Sequence, residues 1–325
     1  MDQSAVQPLI SVALCTYNGA RYLREQLDSL FAQDYGPLEI VAVDDGSSDD
    51  TVQILESYRL RHPNLQVVIN QRNLGVRDNF QKALQLCRGE FIAPCDQDDI
   101  WLPHKLSTLQ RVIGGHAMAY CDSELVDTDG RSLGTRMSSR WRMHDINDPA
   151  ALIFDNCVSG HAMLLRRSLL PRACPMQEGF LHDWWLAVVA AAEGGVVFHP
   201  EVLVHYRRHE QTVTALPGSA EAQRRRAGIE RRGVALRRHA VIAARLNAVA
   251  HLPGEPGRFC QQLQRLWSEH QRQWLSPALA GVLISNTNRL YQFKRVPGWR
   301  LALKSLRYAV GVRLLQVAGQ QRYLE

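Results

Sequence analysis

The chain has 325 residues, 46% hydrophobic, 22% charged and 7% aromatic. That is ordinary globular composition with enough apolar material for a substantial core, which excludes global disorder, collagen and a disulfide scaffold. The formal charge of +6 hides an asymmetry: residues 1–215 carry 19 Lys+Arg against 27 Asp+Glu, and residues 216–325 carry 19 against 5.

Parts this different in charge meet different partners. The acidic part suits a metal ion. The basic part suits an anionic surface: nucleic acid, phospholipid headgroups or a lipid phosphate. Seven scattered cysteines (Cys15, Cys87, Cys95, Cys121, Cys157, Cys174, Cys260) form no CxxC pair. They read as reduced core thiols of a cytosolic protein. No apolar run approaches the ~18–20 residues of a membrane span; the nearest, Leu186–Phe198, is broken by Glu193 and two glycines. The opening MDQSAVQPLISVAL lacks a basic region and a cleavage site, so it does not read as a secretory signal.

The first 120 residues alternate strand and helix. Leu9–Cys15 reads as a buried strand leaving through Thr16-Tyr17-Asn18-Gly19, and Ala20–Gln33 as a helix with apolar residues at helical spacing. Leu38–Val43 is a second strand running into Asp44–Asp50, where Ser48 or Asp49 is placed to cap a helix over Thr51–Leu60. Leu65–Ile69 is a third strand, Val76–Cys87 a helix ended by Gly89, and Glu90–Pro94 a fourth strand running into Asp96-Gln97-Asp98-Asp99. Such βαβ units imply a parallel sheet with helices on both faces, with ligands beyond the carboxyl ends of the strands. Three polar clusters converge on that edge. Further along, short strands are expected at Ala117–Cys121, His161–Leu165 and Val196–Phe198, and a helix at Leu181–Ala192. Residues 216–325 read as mainly helical, notably Gln223–Ala250 and Leu301–Val317, punctuated by Pro/Gly pairs.

Four constellations carry chemistry. In Asp96-Gln97-Asp98-Asp99, three carboxylates in four residues repel one another. A divalent cation relieves that cost, and beside a diphosphate it would neutralise a leaving group; the alternative is a helix N-terminal cluster. In Asp44-Asp45-Gly46-Ser47, a strand-end carboxylate can accept from a ring imide N–H, or simply make an Asx-turn and cap. In His182-Asp183-Trp184-Trp185, a carboxylate beside aromatic faces suits a general base with stacked sugar rings, or a capped helix start over core tryptophans. In His205–His209, arginines suit phosphate and histidine suits metal, or the run is a solvated charge cluster.

Together these motifs resemble family 2 glycosyltransferases of the GT-A fold, nearest the rhamnosyltransferase-like branch of bacterial polysaccharide biosynthesis. The resemblance rests on Val12–Asn18, Asn18–Leu30, Val43–Thr51, Asn73–Phe80, Asp96–Leu106, His182–Trp185 and Tyr206–His209, and spans about residues 8–215. It implies a Rossmann-like, mostly parallel sheet with helices on both faces. The nucleotide-sugar half would cover about 8–120 and the acceptor half about 121–215, within a catalytic domain of 1–215. By the same resemblance, Thr16, Tyr17, Asn18, Asp45, Arg77, Asp96 and Gln97 bind a nucleotide sugar. Asp98 and His209 hold Mg²⁺ or Mn²⁺. Asp183 is the catalytic base, and Gly160, His161, His182, Trp184 and Trp185 face the acceptor. Cys95 departs from the pattern, where Ser more often precedes the acidic run.

The resemblance implies an inverting transfer from a dTDP- or UDP-sugar, with rhamnose the favoured sugar, to a saccharide or lipid-linked saccharide. Two other readings fit the residues less well. A sugar-nucleotidyltransferase wants a Gly-rich basic loop that LCTYNGARY lacks; a non-catalytic assembly subunit predicts loss of acidic motif or base, and both are present. In the C-terminal region, Arg224–Arg226, Arg231, Arg232, Arg237, Arg238 and Arg245 crowd one stretch. Arg300, Lys304 and Arg307 line one face of the last helix, with Leu303, Leu306, Val310 and Leu314 on another. A basic amphipathic helix reads as contact with an anionic membrane surface, against packing on the catalytic domain. No nucleic-acid-binding module is recognisable, so no nucleic-acid partner is expected. The expected location is cytoplasmic, peripheral at the inner face of the cytoplasmic membrane.

Overall fold

The computed structural model describes residues 7–209, 231–270, 273 and 275–309; the side chains of 231–236 are also outside the description. The chain forms two compact units. One comprises residues 1–147 and 156–208, the other 148–155 and 209–325.

In the first unit, β1 (Ile10–Thr16), β2 (Leu38–Asp44), β3 (Leu65–Ile69) and β4 (Phe91–Cys95) alternate with α1 (Leu23–Phe31), α2 (Thr51–Arg59) and α3 (Val76–Leu86). Every residue of β1 and β4 is buried. That is the pattern of parallel strands covered on both faces, and it is why their sequences are apolar runs rather than alternations. β3 is half-exposed, as its edge position requires. The order β3-β2-β1-β4 is parallel throughout. The chain winds outward from β1 to β3, then crosses back to place β4 on the other side of β1. This reversal opens a crevice beyond the ends of β1 and β4. Thr16, Asp44 and Cys95 end the three strands there.

The sheet continues through β8 (Met163–Arg166), β6 (Met118–Val126), β9 (Val196–Arg207) and β5 (Ile100–Trp101), and β7 (Ser132–Arg136) pairs with β6. β8 runs antiparallel to β4 and β6, β7 to β6 and β5 to β9, whereas β6 and β9 are parallel. The second half is thus mixed. β6 and β9 also run further than their sequence patterns indicate. β9 continues to Arg207 past a break in register, placing Tyr206 and Arg207 on the strand beside Leu125 and Val126. α4 (Lys105–Ile113), the one-turn helices α5 (Met137–Arg140) and α6 (Leu170–Ala173), and α7 (His182–Glu193) complete the α-helices described in this unit.

The second unit holds α8 (Arg231–Ala250), α9 (Gly254–His270), α10 (Pro277–Ser285), α11 (Thr287–Leu290) and α12 (Gly298–Ala309). The helical expectations over 223–230 and 310–317, with Arg224–Arg226, Val310 and Leu314, lie outside the described residues. Segment 148–155 is built into this unit. Phe154 packs against Tyr291 and Tyr308 at 5.2 Å each, Asp148 pairs with Arg289, and Asp155 accepts from Lys294 and Lys304.

The α3–β4 connection is closed by one glycine. Gly89 N–H donates to Ser11 Oγ (2.7 Å), and Arg88 N–H and Ser11 Oγ–H donate to the buried Glu39 carboxylate. A Cβ on Gly89 would stand 2.6 Å from Ser11 Oγ and 2.7 Å from the Leu9 carbonyl oxygen. Gly89→Ala is therefore expected to destabilise the protein by about 1–3 kcal/mol, read as a lowered urea midpoint; an unchanged midpoint would show that β1 yields at no cost.

Candidate active site

The acidic turn leaves β4 beside the exit of β1, and Gln97 ties the two. Tyr17 N–H donates to Gln97 Oε1 (2.8 Å), and Gln97 Nε2 donates to the Tyr17 carbonyl (3.0 Å). A Cβ on Gly19 would fall 2.1 Å from Gln97 Oε1, so any larger residue there would push the Gln97 side chain off these two hydrogen bonds. Asp96 and Asp98 are half-buried at the crevice, while Asp99 is fully buried. Burial first, and then the charges of Asp98 and Asp183, push the Asp96 carboxyl well above the ordinary carboxylate range. The Asp99 carboxyl is raised by burial and by Asp98 and Asp96.

Asp99 Oδ1 accepts the Arg207 N–H (3.0 Å). Its Oδ2 has no hydrogen-bond partner among the described residues; His161 Nδ1 stands 3.6 Å away, beyond hydrogen-bond length. Ligand atoms of Asp96, Asp99 and His161 all lie within 4.8 Å of one another. The Asp99 carboxylate with its donorless oxygen, one further acidic side chain, Asp96, and the neutral His161 imidazole make a donor set that fits a divalent cation. Asp98 and His209 are not in that group, and His209 falls in the helical unit.

Two cations underlie the turn. Lys105 is wholly buried; its ammonium donates to the His161 carbonyl (2.7 Å) and lies over the Trp101 ring. Burial draws its pKa down to about 7, against the pull of Cys121, Cys95, Asp99 and Asp96. Arg207 is equally buried. Its guanidinium donates to the carbonyls of Asp98 (2.9 Å) and Thr128 (2.8 Å) and pairs with Glu25. It thus braces the turn instead of reaching for phosphate. Arg208 donates to the Tyr206 hydroxyl at 3.0 Å. His161, expected at the acceptor, lies buried beneath the carboxylates. It is stacked on Tyr206 at 4.3 Å, with Nε2 3.0 Å from Ser123 Oγ. Burial and Lys105 lower its pKa to about 3, so its ring is neutral.

Asp183 sits in the first turn of α7, where the helix dipole favours an anion. Its carboxylate accepts the N–H groups of Trp184 (2.7 Å) and Gly160. Burial outweighs these donors and raises its pKa to about 6. Gly160 is confined by His182: a Cβ there would lie 2.8 Å from His182 Nε2. His182 is buried, stacked on Phe80 at 3.6 Å, and burial lowers its pKa to about 3. Trp185 is a core residue whose indole N–H donates to the Ala173 carbonyl (2.9 Å), whereas Trp184 is half-buried and meets Phe180 edge-on.

On the β1–β2 side, Thr16 Oγ1–H donates to the buried Asp44 carboxylate (2.8 Å), which also accepts from the Ser47 N–H. Asp45 accepts from Asn70 Nδ2 and from the N–H groups of Leu74 and Gly75, at 2.8–2.9 Å. Asn18 adopts φ 48° and binds Ser47 and Ser48. Tyr17 is 48% exposed and open to a ligand. Arg77 is paired with Asp78 on α3. Asp99, Lys105, Ser123 and Glu25 are functional neighbours that sequence reasoning did not assign. Lys105 stands within a motif already singled out, but only packing shows it buried.

Residues 11–172 match the family model for glycosyl transferase family 2. The chain carries a family 2 glycosyltransferase domain. An uncharacterised protein of Mycobacterium tuberculosis is 32% identical over 206 residues, 62% of this chain, and the chain spans 59% of that relative's length. An uncharacterised glycosyltransferase of Rickettsia typhi is 27% identical over 221 residues, 66% of this chain and 68% of the relative. The fold is similar to that of S. aureus TarS 1–349 in complex with UDP-GlcNAc. The TM-score is 0.58 at 17% identity, over 97% of this chain and 92% of that one. It is also similar to a mannosyltransferase from Pyrobaculum calidifontis in complex with GDP-Man and Mn²⁺, with TM-score 0.52 at 19% identity, over 99% and 82%. The architecture is thus that of the GT-A glycosyltransferases, with a helical C-terminal region.

In this domain the acidic turn keeps its shape through Arg207. Arg207→Met leaves the half-buried carbonyls of Asp98 and Thr128 without this donor and should cost about 1–3 kcal/mol. Denaturant unfolding checks this, and a loss under 0.5 kcal/mol would show that water replaces the guanidinium.

Proposed function

We propose that the protein is an inverting, metal-dependent glycosyltransferase. It moves a sugar, with rhamnose the first candidate, from a dTDP- or UDP-sugar to a hydroxyl of a saccharide or lipid-linked saccharide. Its setting is cell-surface polysaccharide synthesis at the inner face of the cytoplasmic membrane. The observation that carries the reading is the meeting of Asp183 with the Asp96–Asp99 turn: a carboxylate with its pKa raised to about 6 stands close enough to Asp96 to perturb it. The UDP-GlcNAc bound by TarS and the GDP-Man and Mn²⁺ bound by the mannosyltransferase support a nucleotide sugar and a divalent metal. No described helix is long and apolar enough to cross a membrane.

In this reading Asp183 accepts the proton of the acceptor hydroxyl as that oxygen bonds to the anomeric carbon and the nucleoside diphosphate departs from the opposite face. The Gly160 and Trp184 N–H groups hold the carboxylate in place, and Trp184 offers a face to the acceptor. Thr16, Tyr17, Asn18, Asp45, Arg77 and Gln97 line or brace the nucleotide side. Asp96 and Asp98, backed by Asp99 and His161, would hold the cation, which supplies charge neutralisation to the leaving diphosphate.

Asp183→Asn should lower kcat by about 10²–10⁴-fold while donor-induced thermal stabilisation persists; equal transfer rates would remove Asp183 from the role. The base works only when deprotonated. Wild-type kcat should therefore be flat above about pH 6 and fall about tenfold per unit below it; a profile with no inflection between pH 5 and 7 would contradict this. Donor at 100 times its Kd should stabilise by ~2.7 kcal/mol. That shift should need Mn²⁺ or Mg²⁺ and should be lost in Asp98→Ala; an EDTA-insensitive shift would reject the metal assignment.

A further inference from the structure

We propose that α12 carries a docking face for anionic lipid. It presents an apolar stripe of Trp299, Leu303 and Leu306, flanked by Arg295, Arg300 and Arg307. Within its own unit, α12 buries Leu301, Ser305, Tyr308 and Ala309. Trp299, Leu303 and Leu306 are left 60%, 48% and 43% exposed. At 100° per residue these three fall within about 60° of one another, opposite the buried face. Arg300 and Arg307 are exposed and lie together along one side of that stripe; Arg295 and Val296, exposed in the preceding loop, extend it. Three large apolar side chains grouped on one exposed helix face are not ordinary surface scatter.

The occupant is argued from charge. Residues 270–324 contain nine Lys+Arg and no Asp or Glu, so the stretch offers nothing to a basic partner and a dense complement to an acidic one. An anionic leaflet satisfies both parts at once. Guanidiniums bind phosphates, tryptophan settles at the headgroup boundary, and leucines enter the acyl layer. The structure also changes which residues take part. Lys304, grouped with Arg300 and Arg307 by sequence spacing, turns inward: its ammonium is 3.1 Å from Asp155 Oδ2 and 4.6 Å from the centre of the Tyr291 ring. Trp299 and Arg295 belong to the face instead.

This face gives a surface to the peripheral location proposed above, and it rests on that reading but not on the identity of the sugar. The test is flotation of the full chain with vesicles of phosphatidylcholine alone or mixed with phosphatidylglycerol, at low and high salt. Donor-induced thermal shift is read on the same samples. The wild type should float with the anionic vesicles only, and less at high salt. Arg295→Gln/Arg300→Gln/Arg307→Gln should weaken partitioning on the order of 100-fold, from a contribution of about fivefold per basic residue. Trp299→Ser/Leu303→Ser/Leu306→Ser should also abolish flotation. Both variants should still melt cooperatively and keep the donor response, because every altered side chain is exposed and none is placed in the site.

No flotation of the wild type at low salt overturns the proposal. So does flotation of either triple variant at the wild-type level. A concentration-dependent dimer that the serine variant loses, without flotation, would assign the stripe to a second copy of the chain and also overturn it. Flotation without any donor response would overturn the transferase reading and leave the docking face standing.

Discussion

Carboxylates placed at the carboxyl end of a buried strand cannot share one turn without counter-charge, and the first unit is arranged around that requirement. Asp99 lies wholly inside, Asp96 and Asp98 lie at the crevice, and beside the burial itself the charge of Asp98 raises the cost of ionising both Asp96 and Asp99. The protein answers with cations from below. Lys105 comes from the helix that follows the turn, and Arg207 from the far end of the sheet. Among the described residues the compensation is incomplete, because one oxygen of Asp99 keeps no donor. A set of buried carboxylates that stays short of positive charge fits the cation and diphosphate of the proposed reaction.

The same requirement explains the length of β9. Had that strand stopped near Phe198, Arg207 could not reach the acidic turn. By running on beside β6 it delivers Tyr206 to the His161 ring and the Arg207 backbone to Asp99. The proposed base is assembled by a similar long-range meeting. Asp183 opens one helix, Gly160 comes from the short turn before β8, and Phe80 from α3 seats the neighbouring His182. Burial raises the Asp183 pKa to about 6, which suits a group that must take up a proton near neutral pH.

The helical unit follows a different logic. Its aromatic cluster of Phe154, Trp267, Tyr291 and Tyr308 is built around a short peptide, 148–155, that comes from the middle of the chain. Asp155 gathers Lys294 and Lys304, and Asp148 gathers Arg289, so part of the basic excess is neutralised internally. The arginines that remain exposed on α12 are those beside its apolar stripe.

Sequence alone determined the alternation of the first four strands and three helices, and with it the crevice edge. Apolar period and turn chemistry are local, and the parallel order follows from the βαβ connections. It also made the candidate clusters legible, because DQDD, HDWW and the TYN turn are contiguous in the chain. It did not show that β6 and β9 continue as partners, that 148–155 joins the helices, or that His161 lies under the carboxylates. Nor did it show that Lys105 is buried or that Lys304 turns toward Asp155. Each of those depends on which distant residue faces a side chain. Burial and pairing across tens of residues are set by packing, and a one-dimensional pattern of apolar and charged residues leaves them open.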